Sequence, residues 1–183
     1  MTDPPHPDEV PMPAAPFRFQ APASFPVSVI LERRPASVGA WVNHLWRTTG
    51  IVVGDRGNHS GPSQPELIHQ QHGVQQFAVH GLHVNLHEDQ CESYYHNLMT
   101  TTARAYVVAT LIEADGERRP SPFLVSLSVD EAHAYLEGDD DIDAVAIPPE
   151  LYRWAEGFVL AHYAPEKKTK RRLHHWKPPE TPT

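Results

Sequence analysis

The sequence contains 13 histidines, a residue type that can bind metal ions or transfer protons. The candidates for one metal site are His80, His83 and His87, with His69 and His72 upstream. Apolar residues alternate with polar ones through this stretch, which indicates a strand, where side chains four residues apart are separated by about 13 Å. That is too far to share one ion. We expect solvated histidines and assign no metal ligand, although convergence with the upstream pair keeps a histidine-based metal binder as a weaker alternative.

The sequence contains no recognised motif for covalent catalysis or for nucleotide binding. Cys91 has His87 and His96 nearby in the sequence, but its surroundings match no recognised cysteine-enzyme signature. The chain also lacks the phosphate-binding pattern G-x-x-x-x-G-K-[ST], the dinucleotide pattern G-x-G-x-x-G, and the C-x-x-C and H-E-x-x-H motifs. The acidic run at 139–143 lacks the spacing of a calcium loop and is typical of a solvated loop. We assign no catalytic residue and no cofactor, and expect a non-catalytic protein.

Arginine and tryptophan are concentrated in one region near the start of the domain. Arg33 and Arg34 end the first predicted strand, and Trp41, Trp46 and Arg47 lie in the second. Exposed arginines at a strand end commonly serve only solubility, but Arg and Trp together are also the residues that protein-binding hot spots favour. Paired guanidinium donors also suit phosphates. These five residues are therefore the candidate partner- or phosphate-binding surface.

Composition separates a domain from two tails. Seven prolines crowd residues 1–24, which predicts a disordered proline-rich tail, and residues 25–164 form a single domain. Residues 165–183 carry six Lys/Arg against two Glu, so this predicted disordered basic tail has a charge of +4 and the remainder −12. An acidic body repels nucleic acid, and none is expected as a partner; the tail is a solubilising terminus or a contact for phosphates or an acidic partner.

Neither secretion nor membrane insertion is predicted. No apolar run approaches the roughly 18 residues that a membrane span needs, and the N-terminus is acidic and broken by prolines. A single cysteine cannot form an internal disulfide, as expected in a reducing compartment. We therefore place the protein in the cytoplasm.

The sequence predicts about six strands, from apolar alternation in the first and third and from β-branched residues in the second. The predicted strands cover residues 25–34, 41–53, 77–86, 94–98, 104–113 and 122–127. The first two should form a hairpin, and Gly81 marks a possible bulge in the third. Residues 54–76, rich in glycine, glutamine and histidine, are predicted to be a long surface loop.

Two helices follow the strands. Ser128 and Glu131 have the spacing of a capping box, which predicts a short helix to about Glu137. Pro148 and Pro149 suit the first turn of a C-terminal helix, since their missing donors would go unused there. Its apolar face is formed by Leu151, Trp154, Ala155, Phe158 and Val159. The predicted fold class is α+β: a small antiparallel sheet, curled into a sandwich or half-barrel, with a short helix and a C-terminal amphipathic helix.

An ordered set of short motifs resembles a bacterial family of uncharacterised proteins over about residues 25–166. The motifs are residues 25–35, Trp41, residues 44–47, Gly50, residues 94–98, residues 126–128, Glu131-Ala132, residues 147–150, Trp154, Phe158-Val159 and His162-Tyr163. The histidine-rich segment 54–73 departs from the compact pattern of the family, so the resemblance assigns no role to it.

The resemblance implies which enzymes the protein works with. Members are typically encoded beside molybdenum- or tungsten-dependent formate dehydrogenases and their maturation factors, and some are labelled molybdopterin-guanine dinucleotide biosynthesis protein A. A formate dehydrogenase subunit or one of its maturation factors is thus the expected partner, and the protein an accessory factor for assembly. A protein that binds or builds the molybdopterin cofactor is the alternative, but the glycine-rich strand-to-helix loop that a guanylyltransferase needs is missing from the sequence.

Overall fold

Seven strands and three short α-helices make up the described part of the chain. The structure, a computed structural model, describes residues 23–38, 41–54, 61–138 and 140–165, without the side chains of residues 37, 38, 41–43 and 137. The strands are β1 (Ser24–Val38), β2 (Trp41–Val53), β3 (Glu66–Gln71), β4 (Val74–Asn85), β5 (Arg104–Ala114), β6 (Glu117–Ser126) and β7 (Asp140–Ala146). The helices are α1 (Cys91–Leu98), α2 (Val129–His133) and α3 (Pro149–His162), with 3₁₀ turns at Glu88–Gln90 and Ala134–Glu137. The predicted tails, residues 1–24 and 165–183, lie almost wholly outside the described residues.

The strands form two antiparallel sheets rather than the single sheet that was predicted. The larger sheet has the order β2-β1-β4-β3, and the smaller has the order β6-β5-β7. The predicted β1–β2 hairpin is confirmed, with Val38 opposite Trp41 at its end and Val27 opposite Val53 at its base. The α+β class and the antiparallel pairing are also confirmed.

A core of apolar residues joins both sheets to the helices. β1 contributes Val27, Val29 and Leu31, which alternate along the strand and are completely buried, as the period of two predicts. The same core includes residues of the smaller sheet and of α1 and α3; they are Cys91, Tyr94, Leu98, Ala105, Val107, Val125, Val145, Leu151, Trp154, Ala155, Phe158 and Val159. The predicted apolar face of the C-terminal helix is thus confirmed. None of the described helices is long and apolar enough to cross a membrane.

Three predicted elements were wrong. Residues 94–98, predicted as a strand, belong to helix α1, whose Cys91, Tyr94 and Leu98 are buried at helical spacing. The predicted loop 54–76 contains β3, an edge strand whose six residues are all exposed, so it has no apolar alternation to detect. The acidic run predicted as a solvated loop is mostly strand β7. Its carboxylates accept hydrogen bonds there, because Thr110 Oγ1 donates to Asp140 at 2.7 Å.

Two local predictions can be checked in detail. Gly81 has a φ of +81° in β4, where the pairing with β1 shifts register, which confirms the bulge. Ser128 caps α2, because its Oγ accepts from the Glu131 amide at 3.1 Å. The reciprocal half of the capping box is absent: the Ser128 amide donates to Ser126 Oγ at 2.9 Å, and that hydroxyl donates to Glu131 at 2.5 Å. The glutamate therefore reaches the amide through Ser126.

Candidate functional site

Alternation along β1 divides the candidate arginines between the two faces of the larger sheet. Arg33 continues the row of Val27, Val29 and Leu31, so its side chain lies on the core side of the sheet and is 24% exposed. Arg34 lies on the outer face and is 47% exposed. The two neighbours therefore have different surroundings, and one phosphate cannot be held by both from a single face.

Arg33 connects the two sheets. Its Nε donates to Glu117 Oε2 at 2.9 Å and an Nη donates to the other oxygen, so a guanidinium of the larger sheet holds a carboxylate of the smaller one at two points. The remaining Nη donates to Gln75 at 2.6 Å, and Trp46 Nε1 donates to Glu117 at 3.2 Å. The hydrogen bonds that Glu117 accepts, from Arg33 first and then from Trp46, lower its pKa to about 2.

His44 completes this inter-sheet cluster of Arg33, His44, Trp46, Gln75 and Glu117. Its Nδ1 lies 2.7 Å from Glu117 Oε1 and 2.9 Å from an Nη of Arg33. One nitrogen cannot serve both contacts at once, because it must carry a proton to donate to the carboxylate and must lack one to accept from the guanidinium. Nδ1 therefore hydrogen-bonds to only one of these two partners at a time.

Aromatic rings lie against this cluster. The Trp46 and Phe77 ring centroids are 5.0 Å apart, and the Arg33 guanidinium carbon lies 6.0 Å from the Trp46 centroid, the outer limit of a cation–π contact. Beside them is a cavity of about 250 Å³, whose wall also includes Pro65 and Arg119. The inter-sheet cluster therefore links the two sheets and lines one side of a small cavity.

The outer face of the β1–β2 hairpin carries a second group of residues, here called the outer patch: Glu32, Arg34, Leu45, Arg47 and Gln76. Arg34 lies opposite Leu45 and Glu32 lies opposite Arg47. Arg34 Nε donates to the buried Glu32 carboxylate at 2.5 Å, and this bond is the main reason that the pKa of Glu32 is lowered. Leu45 is 57% exposed between the two arginines. The outer patch combines fixed charge with exposed apolar surface.

The five predicted site residues are therefore not one cluster. Arg33 and Trp46 belong to the inter-sheet cluster, and Arg34 and Arg47 belong to the outer patch. The side chain of Trp41 lies outside the described residues. Alternation on β2 could have placed His44 beside Trp46, but the contact between Arg33 and Glu117 spans 84 positions and leaves no local signal in the sequence.

The histidines have mixed surroundings. The expectation of solvated side chains is confirmed for His69, His72, His83 and His87, but it is wrong for His80, which is 5% exposed. Nδ1 of His80 lies 2.7 Å from Ser28 Oγ, which donates to the Gly54 carbonyl, so the imidazole donates to the serine. No group of three or more His, Cys, Asp or Glu among the described residues is arranged to hold a metal ion.

Cys91, weighed above as a nucleophile, is packed in the core. It is 1% exposed, and burial raises the pKa of its thiol. A nucleophilic cysteine needs the opposite, an accessible sulfur with a lowered pKa.

A larger polar cleft lies between α1, the start of β5 and the start of α2. Its volume is about 710 Å³, and its wall includes Asp89, Glu92, Ser93, His96, Asn97, Arg104, Tyr106 and Asp130. Asn97 links the elements that form the cleft. Its side-chain nitrogen donates to the carbonyls of Arg104 and Leu127 at 2.7 and 2.8 Å, and its side-chain oxygen accepts from the Arg104 amide. Buried groups thus fix the cleft, and its exposed rim carries the charges.

Comparison with known proteins gives one match. Neither a curated protein nor a solved structure matches the chain. A family model does match, over residues 26–172, which is most of the sequence and includes both sheets and all three helices. The chain therefore belongs to the family DUF3305, which is described as a protein of unknown function.

Proposed function

We propose that this protein is a non-catalytic, cytoplasmic accessory protein that binds a protein partner through the outer patch. The observation that carries the proposal is Leu45, an apolar side chain that is 57% exposed between Arg34 and Arg47 on a paired hairpin. An exposed leucine alone is ordinary on a protein surface. The two arginines next to it, one of them held in place by a buried carboxylate, are of a residue type that binding hot spots favour, and the leucine adds apolar surface beside them.

The rigidity of the outer patch supports this function. Glu32 is 7% exposed and orients Arg34 through a 2.5 Å hydrogen bond, and Gln76 donates to the other Glu32 oxygen at 3.4 Å. A guanidinium fixed before binding loses less conformational freedom when the partner arrives, so more of the contact energy remains as affinity. The patch carries two positive charges and one negative charge, which favours a partner surface with acidic residues around an apolar recess.

We further propose that the partner is a component of a molybdopterin-dependent formate dehydrogenase or of its maturation machinery. The support for this partner is the resemblance of the motifs between residues 25 and 166 to proteins encoded beside such enzymes. Binding would assist assembly or maturation of the enzyme. The proposal includes closure of the two sheets as a sandwich or half-barrel, supported by the apolar cluster that takes residues from both sheets.

Co-purification from the native host tests the proposal. Tagged wild-type protein should recover a dehydrogenase or maturation component, and Leu45→Glu should lose it, because the change places a negative charge on the apolar part of the patch, next to Arg34. Leu160→Glu is the matched control, since Leu160 is 74% exposed on α3, distant in sequence from the hairpin. The control should recover the partner as the wild type does.

Two outcomes would refute the proposal. One is recovery of no dehydrogenase or maturation component by the wild type, together with unchanged formate oxidation in a deletion strain. The other is equal recovery by Leu45→Glu and wild type, which would exclude the outer patch. Urea denaturation of both variants shows that any loss reflects binding rather than unfolding.

A further inference from the structure

The inter-sheet cavity, the space of about 250 Å³ beside the inter-sheet cluster, has an apolar wall and two guanidinium groups. Trp46 and Phe77 form part of the wall, and their ring centroids are 5.0 Å apart. Pro65 and Ala114 add apolar surface. Because its volume is below that of most pockets for drug-sized ligands, the cavity suits a molecule with a single ring.

The two guanidiniums of this cavity differ in their hydrogen bonds. All three nitrogens of Arg33 are engaged within the inter-sheet cluster. Among the described residues, the guanidinium of Arg119 makes one hydrogen bond, from Nη2 to Gln64 Oε1 at 3.2 Å. The Nε of Arg119 is covered from solvent, and no atom in the described part of the chain accepts a hydrogen bond from it.

The unpaired Nε of Arg119 favours an anionic ligand. A charged donor that has lost its water without gaining another acceptor costs free energy, which a bound acceptor would recover. Nε and Nη2 of a guanidinium point their hydrogens in the same direction, and this pair of donors fits the two oxygens of a carboxylate. Gln64 is exposed and offers only a neutral amide oxygen. A carboxylate can therefore replace Gln64 at Nη2 and satisfy Nε as well.

There is also space for a head group beside Arg119. Arg119 and Pro65 border a second, smaller cavity of about 70 Å³ as well as the inter-sheet cavity. Ser63 and Ser121 contribute hydroxyl groups to the wall of the smaller cavity. A single water needs only about 10 to 15 Å³ of such volume, so the smaller cavity is large enough for a carboxylate group.

The charges in the wall of the inter-sheet cavity leave Arg119 as the cation that a ligand can use. Arg33 and Glu117 neutralise each other through their two-point contact. The other charged wall residue is Asp115, which is exposed at the turn between β5 and β6. Water and salt screen a charge at such a position, so its repulsion of an anion is weak.

We propose that the inter-sheet cavity binds a small aromatic carboxylate. The carboxylate accepts from Nε and Nη2 of Arg119, and the ring packs against Trp46 and Phe77. The ligand thus contacts both sheets. Trp46 lies opposite Arg33 in the strand pairing, on the face of the β1–β2 hairpin away from the outer patch, so the ligand and a protein partner use separate surfaces.

NMR titration of the full chain with benzoate tests the proposal. The Nε–H signal of Arg119 and the indole N–H signal of Trp46 should shift and reach saturation. Benzamide has the same ring without the charge and should bind at least about tenfold more weakly, because it cannot accept two charge-assisted hydrogen bonds. Inorganic phosphate, an anion without a ring, should also bind more weakly than benzoate.

Two neighbouring arginines provide matched variants. Arg119→Gln should weaken benzoate binding at least about tenfold. Arg118→Gln removes the same charge from an exposed side chain on the opposite face of β6 and should leave benzoate binding unchanged. Gln64→Ala removes the present acceptor of Nη2 and should not weaken binding. The melting temperature of each variant shows whether it is folded, and the Arg119 Nε–H signal tests the contact in the wild type itself.

Three results would overturn the proposal. The first is the lack of a saturable shift in the wild type at the highest soluble concentration of benzoate, which would leave water as the partner of Nε. The second is equal affinity of the wild type and folded Arg119→Gln for benzoate. The third is binding of benzamide or phosphate as tight as that of benzoate, since the site would then not select an aromatic carboxylate.

Discussion

Arg33 on β1 and Glu117 on β6 join the two sheets through a two-point ion pair, although they are 84 positions apart in the sequence. Both side chains are about one quarter exposed, so the pair lies at the margin of the core. Glu117 also accepts from Trp46 and lies 2.7 Å from His44. One carboxylate of the smaller sheet therefore accepts hydrogen bonds from two side chains of the larger one and lies next to a third.

Replacement of Glu117 should destabilise the protein and change its acid sensitivity. We expect Glu117→Gln to lower the free energy of unfolding by about 1 to 3 kcal/mol at pH 7, because Arg33 loses its charged partner. The pKa of Glu117 is lowered from 4.5 to about 2, so the folded state binds fewer protons than the unfolded state between these values. Its stabilisation is complete above about pH 4.5 and disappears as the pH falls through about 2.

Urea denaturation at pH 7 and pH 3 measures both effects. The wild type should lose more stability than Glu117→Gln between these pH values. Glu113→Gln, an exposed carboxylate on the same hairpin, is the control and should follow the wild type. Equal pH dependence of wild type and Glu117→Gln would contradict the role given to the ion pair.

Asn97 should be the side chain amide that matters most for the polar cleft. It is 7% exposed and makes three hydrogen bonds to the backbone of Arg104 and Leu127. Asn97→Ala leaves these backbone groups unpaired, and we expect a loss of about 2 to 4 kcal/mol in chemical denaturation. Asn85→Ala, at an exposed position at the end of β4, should lose less than about 0.5 kcal/mol.

Gly81 should resist substitution because of its backbone. Its φ of +81° is unfavourable for any residue with a Cβ, so Gly81→Ala should cost about 1 to 2 kcal/mol of unfolding free energy. Gly50, in β2, has no positive φ and has open space where the Cβ of an alanine would lie. Gly50→Ala should therefore be neutral or slightly stabilising. Similar melting temperatures for the two variants would contradict this account of the bulge.

Cys91 should be unreactive until the protein unfolds. The sulfur is buried in the core and burial raises the pKa of the thiol, so both the access and the thiolate that a disulfide reagent needs are lacking. We expect a thiol reagent to titrate no cysteine in native protein and one per chain in urea. Rapid modification of the native protein at pH 7 would place Cys91 at an accessible surface and refute its assignment to the core.

The elements that could be predicted from the sequence are those with an apolar period. β1 alternates over its buried part, β2 and β5 are rich in β-branched residues, and α3 has a regular apolar face. β3 and β7 could not be found in this way, since one is fully exposed and the other is mostly acidic. Helix α1 had a signal that was overlooked: Cys91, Tyr94 and Leu98 are spaced by three and four.

The candidate site was predictable only in part. Proximity in sequence suggested that Arg33, Arg34, Trp46 and Arg47 act together, but the pleat of the strands separates them. The inter-sheet cluster also needs Glu117, whose position follows from the packing of two sheets and not from any local pattern. Long-range contacts of this kind are decided by the whole fold.

The opposite orientations of Arg33 and Arg34 have a consequence for genetics. Charge reversal at Arg33 should reduce the yield of folded protein in cells, since it would set two carboxylates against each other. Charge reversal at Arg34 would likewise set a carboxylate against the buried Glu32, so the informative change there is Arg34→Lys, which keeps a positive charge beside Glu32 but removes the planar guanidinium that a partner would contact. Arg34→Lys should leave the protein abundant and alter only what it associates with. Substitutions at two adjacent residues of one strand should thus have different effects: one changes the amount of folded protein, and the other changes which partners the protein binds.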